Sequence, residues 1–271
     1  MQRFLVLIAL ILAGPVEAAP EKQLWERWSR HDPQSVALID HRPWDKFLRR
    51  NVLVGRDGIN RIDYANVPRA DRLNLKSYIE FLAAVPISLY NRAEQLAFWI
   101  NLYNALTVRL VIERFPVDSI RDIDISPGLF ADGPWGRKLF QVEGVAVSLD
   151  DIEHRILRPI WNDPRIHYAV NCASIGCPNL QPTAFNSRNA PALLEAAGRE
   201  FVNHPRAVSI DDGELVVSSI YKWFKEDFGD SDEKIIAHIW RFARPALRTK
   251  LEKRREIDDY RYDWTLNRGN L

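Results

Sequence analysis

The 271-residue sequence predicts an α+β fold: a central apolar helix packed with further helices against a small, mainly antiparallel sheet. Three observations predict it. The stretch Arg92–Phe115 is apolar around most of its helical circumference, as a helix buried on all sides must be. Short β-prone runs occur in pairs around turn residues, which is the pattern of hairpins. Those hairpins are interleaved with helices without the regular strand–helix–strand alternation of a doubly wound sheet.

Helical periodicity is clearest over Lys22–Ser29, Pro43–Asn51, Leu73–Ala84 and Arg92–Phe115, the last ended by Pro116. Val52–Val54 and Ile59–Tyr64 flank Gly55-Arg56-Asp57-Gly58 as a first hairpin, and Lys138–Val142 and Val145–Leu149 flank Glu143-Gly144 as a second. Ser148, three residues before Asp151, starts a helix over Leu149–Leu157 that Pro159 should stop. Ile166–Asn171 reads as a strand. Ala192–Val202 is helical, and a third hairpin, Ala207–Ile210 with Leu215–Val217, turns at Asp211-Asp212-Gly213. Helices at Ile220–Glu226 and Lys234–Lys253 follow, the second interrupted at Pro245. The division expected is a signal peptide over 1–19, an N-terminal helical segment over 20–43, one α+β domain over 44–262 and a tail over 263–271.

Composition removes several function classes. With 37 Lys+Arg against 36 Asp+Glu the formal charge is +1, so nothing global attracts nucleic acid or anionic membranes. Nine Trp, eight Tyr and twelve Phe indicate a folded core. Two Cys make neither a disulfide scaffold nor a four-cysteine zinc site. At the N-terminus, Arg3 precedes an apolar run from Phe4 to Ala13 and the small residues before Ala18 and Ala19. The run is about half the roughly 20 residues that a span needs, so it reads as a cleaved signal and the protein as exported, periplasmic or secreted. No other segment is apolar enough to span a bilayer.

The densest chemistry lies in Arg165–Pro178. Cys172 leaves the expected strand and enters a small-residue turn that carries Cys177. Loops after strands display nucleophiles, because backbone N–H groups there are free to stabilise an oxyanion. The pair could equally be closed as a disulfide in an exported protein. A nucleophilic thiol needs a base. His154 lies on the helix with Asp150 and Asp151 at i−4 and i−3, where a carboxylate could fix its tautomer; Glu153 is rotated about 100° away. His167 is nearer in sequence, but an offset of five along a strand turns it to the opposite face, roughly 16 Å off at ~3.3 Å per residue. His31, His41, His204 and His238 sit in polar or helical surroundings without an acid poised on the same face and receive no role.

Asn101 and Asn104, i and i+3 within the apolar helix, must be hydrogen-bonded: they pin loops or face a cavity. With Asn171, Tyr221 and Asp227 they complete the residues expected to contact a substrate. Phosphate loops, paired-histidine zinc motifs, calcium loops and serine elbows are absent from the sequence.

Four blocks, AFWINLYNALTV (97–108), SLDDIEHRILR (148–158), HYAVNCASIGCPNL (167–180) and SSIYKWFKEDF (218–228), resemble the domain-of-unknown-function 547 family, here as an exported bacterial member. The resemblance implies little about activity. It suggests a loose likeness to papain- and transglutaminase-like thiol enzymes, carried by Cys172, His154 and Glu153 with His167 as the alternative base; both histidines precede the cysteine, unlike the usual papain order.

Three readings are open. The first is a thiol hydrolase or acyltransferase acting on an amide or thioester carbonyl through Cys172, His154 and an acid from Asp150, Asp151 or Glu153. The second is an envelope binding module with a Cys172–Cys177 clip and a small-molecule, peptide or glycan ligand. The third is a metal site at the cysteines, His154 and His167. No cofactor is called for, and the sequence is silent on oligomeric state.

Overall fold

In the computed structural model, residues 20–127 and 133–269 are described; the expected signal peptide lies outside them. The architecture is α+β, as the pattern of hairpins and helices predicts. Helix α1 (Arg42–Asn51) runs into the hairpin β1 (Val52–Val54) and β2 (Asn60–Ile62), paired antiparallel. Helix α2 (Arg69–Ala83) packs alongside α3 (Arg92–Arg114), whose first turn is capped by the Asn91 side chain accepting from the Glu94 amide. Around α3 the side chains of Phe98, Trp99, Ile100, Leu102, Ala105 and Leu106 are all buried, so it forms the axis of the main core. Burial on every side explains why its sequence shows no polar face.

The hairpin β3 (Phe140–Val142) and β4 (Val145–Val147) leads into a π-helix, Asp151–Leu157, closed by the Arg158 amide donating to the Glu153 carbonyl. Pro159 does not stop this helix. It continues as α4 (Arg158–Trp161), ending at Asn162 in the left-handed region. A proline has no N–H to give, and the carbonyls of His154 and Arg155 accept instead from the amides of Gln23 and Trp25. The irregularity thereby becomes the docking edge for the N-terminal stretch, which is extended except for a 3₁₀ turn at Glu26–Ser29 rather than helical over Lys22–Ser29.

The strand expected over Ile166–Asn171 is replaced by a 3₁₀ turn, Pro164–Tyr168. Pro164 opens it, and the Asp163 carboxylate takes up both the backbone amide and the guanidinium of Arg165, a local closure that competes with extended backbone. The alternating faces invoked for His167 and Cys172 therefore do not exist.

A second core gathers α5 (Ala190–Val202), β5 (Val208–Asp211), β6 (Glu214–Ser218), α6 (Ile220–Trp223), α7 (Asp232–Phe242) and α8 (Pro245–Leu251) around Phe201, Tyr221, Phe242 and Ile239. Strand β6 pairs antiparallel with β5 and parallel with β7 (Asp259–Arg261). Residues 263–269 do not trail away as a tail. The carbonyls of Asp263 and Thr265 accept from Gly176 and Ile175, and Asn267 donates to Ala173; beside β2 the Ile62 amide donates to Asn267 and the Gly269 amide to Ile62. Gly176 makes this crossing possible, since a Cβ there would lie 2.7 Å from the Asp263 nitrogen.

Candidate functional site

The loop that carries the cysteines is fixed from the central helix. The Asn104 amide donates to the Ala169 carbonyl at 2.9 Å and accepts from the Asn171 amide at 2.8 Å. Asn101 holds Phe185 in the same two-handed way. Asn171 in turn donates to Pro178 and accepts from the Ala173 amide, steadying an alanine at φ +59° directly after Cys172. These three asparagines, expected to contact substrate, are spent on backbone. Tyr221, also expected there, is fully buried with its hydroxyl 3.0 Å from that of Tyr168.

Cys172 is half-buried and free, as is the buried Cys177, so the expected clip between them is not formed. The Cys177 sulfur lies 3.1 Å from the Cys172 amide, which donates to it. The Cys172 sulfur instead meets the hydroxyls of Tyr262 at 2.9 Å and Ser174 at 3.3 Å, which are 2.8 Å from each other. This closed triangle has three protons for three edges when Cys172 is a thiol. As a thiolate it has two, and the sulfur must be an acceptor. Hydrogen bonding from Cys177, then from Ser174 and Tyr262, draws the Cys172 thiol below its ordinary range, against burial and the Glu153 charge. Burial and the neighbouring Cys172 push Cys177 well up. Burial and both cysteines likewise hold Tyr262 as an O–H donor.

Neither histidine reaches this thiol. His167 is clasped by two acids, its Nε2 2.8 Å from Asp227 and its Nδ1 3.3 Å from Glu153 but off the line of a good hydrogen bond, and its ring stacks on Phe224 at 4.0 Å. Burial alone would lower this imidazole; Asp227 and Glu153 outweigh it and raise it, favouring the charged form. His154 receives Arg158 Nη1 at its Nδ1, 3.1 Å away. Arginine only donates, so the neutral ring carries its proton on Nε2, 3.7 Å from Asp150 Oδ1. Burial brings His154 down to about 4. A ring with its free nitrogen already protonated is a poor base, which removes the role expected for it.

Arg158 ties the rest together, meeting Asp227, Glu226, the Pro20 carbonyl and His154 while lying over Phe224. Lys22 adds a contact to Asp227 at 2.9 Å. Lys22, Arg158 and His167 thus face Glu153, Glu226 and Asp227. Burial opposes ionisation of Glu153, but His154, His167 and Arg158 bring it down to about 2. Asp227, expected as a substrate anchor, is likewise held far below the usual carboxylate range by His167, Lys22 and Arg158 against its burial. Asp151 is structural too: it accepts from the Ser148 amide and hydroxyl and pairs with Lys138 and Arg155.

Asp150 differs from all of these. Burial, Glu153 and Asp151 push its carboxyl up to about 7, with Lys138 opposing. A band of half-buried rings connects it to the thiol. Tyr262 lies 4.7 Å from Trp223 and 4.6 Å from Trp264, Trp264 lies 5.7 Å from Trp135, and the Trp135 carbonyl accepts the Asp150 amide. Tyr262, Ser174, Arg158 and Trp264 escaped the sequence reading. The signal for the first and last was the aromatic period of two at Tyr260, Tyr262 and Trp264, which marks one face of a strand-like segment. For Arg158 it was the i+4 spacing from His154.

Among the described residues, no group of three His, Cys, Asp or Glu side chains is placed to hold a metal ion. The metal reading also fails on ligand chemistry, since the histidine nitrogens it would need are occupied by Arg158, Asp227 and Glu153 or protonated. Among the described residues, no helix is long and apolar enough to cross a membrane.

Fold and site together define an α+β protein with a hydroxyl-bonded cysteine beside a buried ion-pair knot. A family model described as a protein of unknown function, DUF547, matches residues 87–202, the stretch that holds α3, the π-helix, His167 and both cysteines. No curated protein and no solved structure matches the chain.

Proposed function

We propose that the protein is a thiol-dependent hydrolase or acyltransferase in which Cys172 attacks an amide or thioester carbonyl. The observation that carries this reading is the half-buried Cys172 sulfur, hydrogen-bonded by Tyr262 and Ser174 at the end of an aromatic band. Hydroxyl donors favour a thiolate as a nearby imidazolium does, by bonding to the charged form. The thiolate sulfur bonds to the carbonyl carbon and the leaving nitrogen or sulfur departs with a proton. Solvent supplies that proton. Water then attacks the thioester, its proton passes to solvent, and Cys172 leaves as thiolate.

The test is mass spectrometry of the protein mixed with a panel of activated acyl thioesters and amides. An acyl group on Cys172, lost with time and absent from Cys172→Ser, is expected. No adduct at Cys172 with any acyl donor, together with an ordinary free-thiol alkylation profile, would overturn the reading. A second reading, a peptide- or glycan-binding module, is favoured by the band of Trp135, Trp264, Trp223 and Tyr262. Ligand-dependent quenching of tryptophan fluorescence without acylation would select it.

The N-terminal pattern supports export, with cleavage after Ala18 or Ala19. Sequencing of the mature N-terminus checks this, and a chain still starting at Met1 would refute it.

A further inference from the structure

We propose that Cys172 and Cys177 form a peroxide-responsive thiol couple, in which Cys172 is oxidised first and Cys177 resolves it to a reversible disulfide. The structure shows the reduced state. The geometry separates the two roles. Cys172 is half-buried on a loop beside the aromatic band, open to a small oxidant, and has two hydroxyl donors on its sulfur. Cys177 is buried and out of reach of solvent oxidants, yet its sulfur is held against the Cys172 backbone at 3.1 Å. The Ser174 carbonyl accepting from the Cys177 amide closes the turn that folds the second cysteine beneath the first. Reactive thiols that are accessible and stand next to a protected second thiol are the arrangement that turns oxidation into a reversible event.

The chemistry balances with a hydroperoxide as the co-reactant. The Cys172 thiolate takes the terminal oxygen of hydrogen peroxide, the O–O bond breaks, and hydroxide leaves; sulfur loses two electrons and the peroxide gains them. The Cys177 sulfur then attacks the Cys172 sulfenic acid, forming the S–S bond, while the sulfenic oxygen leaves with the Cys177 proton as water. A dithiol reductant returns both thiols by exchange. Tyr262 and Ser174, already within hydrogen-bond reach of the sulfur, are placed to donate to the departing oxygen. The couple would also remove the nucleophile of the proposed reaction, but it does not rest on that reading.

The experiment treats the full chain with hydrogen peroxide in the presence of dimedone, which traps sulfenic acids, followed by peptide mapping. Expected for the wild type is a loss of about 2 Da in a Cys172–Cys177 cross-linked peptide, reversed by dithiothreitol, with little dimedone adduct. Cys177→Ser should instead accumulate the adduct on Cys172, several-fold above wild type. A wild-type protein that accumulates dimedone or sulfinic acid at Cys172 without the cross-link would overturn the proposal, and so would two cysteines left untouched by peroxide. If Cys177→Ser does not fold, the wild-type map alone decides. Cross-linking without acylation in the earlier test would leave this inference standing and remove the hydrolase.

Discussion

The ion-pair knot and the thiol triangle lie close together and could hardly differ more in how their hydrogen bonds are used. In the knot, Arg158, Lys22 and His167 are matched by Glu153, Glu226 and Asp227, and every charged group has found its opposite. In the triangle three neutral groups share three protons, and one proton can leave without exposing a buried charge to nothing. Paired buried charges hold one another in place, whereas a ring of two hydroxyls and a thiol can give up a proton and keep its remaining hydrogen bonds. The residues that look most catalytic by type, two histidines and three acids, are for that reason mostly structural. The residues that look ordinary, a tyrosine and a serine, hold the sulfur.

The comparison is broken most severely by removing Arg158. Arg158→Ala leaves Asp227 and Glu153 facing only Lys22 and His167 and should cost about 3–5 kcal/mol in urea unfolding, as breaking a buried pair does. Tyr262→Phe should cost under about 1.5 kcal/mol, the scale of one neutral hydrogen bond. Equal losses would mean the triangle is structural as well.

Acidification attacks the knot from another side. His154 is buried neutral, with its ionisation lowered to about 4, so its unfolded form binds a proton first as pH falls. Stability from this residue is therefore full above about 6.5 and is lost between about 6.5 and 4, on the order of 3 kcal/mol by linkage. His154→Asn keeps an acceptor for Arg158 and should flatten that part of the stability–pH curve. An unchanged slope would show that His154 does not titrate there.

Asn104→Ala comes next, at about 2 kcal/mol. It strands the Ala169 carbonyl and the Asn171 amide inside the core, and it should also loosen the cysteine loop. Hydrogen exchange at residues 169–177 is the readout; unaltered protection would separate the loop from the helix. The smallest effect sharpens the comparison most. Alkylation of Cys172 should have its inflection below the ~8.5 of a free thiol, and Tyr262→Phe should raise it while His154→Asn and His167→Gln leave it in place. Movement on changing either histidine would return the base to the role first expected of it.

The elements were legible in the sequence because local signals and packing agreed. The period of α3, the Glu143-Gly144 turn and the Pro245 break all report on a few adjacent residues. The chemistry was not legible, because it is made by long-range pairs. Cys172 with Tyr262, Arg158 with Asp227 and His167 with Glu153 are joined by the tertiary fold, and no spacing rule announces them. His154 shows the boundary between the two. Its i−4 partner Asp150 was readable, but the i+4 Arg158 that fixes its tautomer cancels the role that Asp150 alone suggested. Pro159 misled for a related reason: the N–H it lacks is not missed, since the N-terminal stretch takes up the freed carbonyls.

The segment that carries Tyr262 and crosses Gly176 also sets an order in time. Cys172 emerges during synthesis 90 residues before the hydroxyl that bonds its sulfur. Until then the nascent chain carries an undirected thiol, and no partial product that stops short of the crossing can assemble the triangle. The hydroxyl-bonded state of Cys172 is in that sense a proofreading mark, acquired only by a chain whose Tyr262 segment has closed over the cysteine loop.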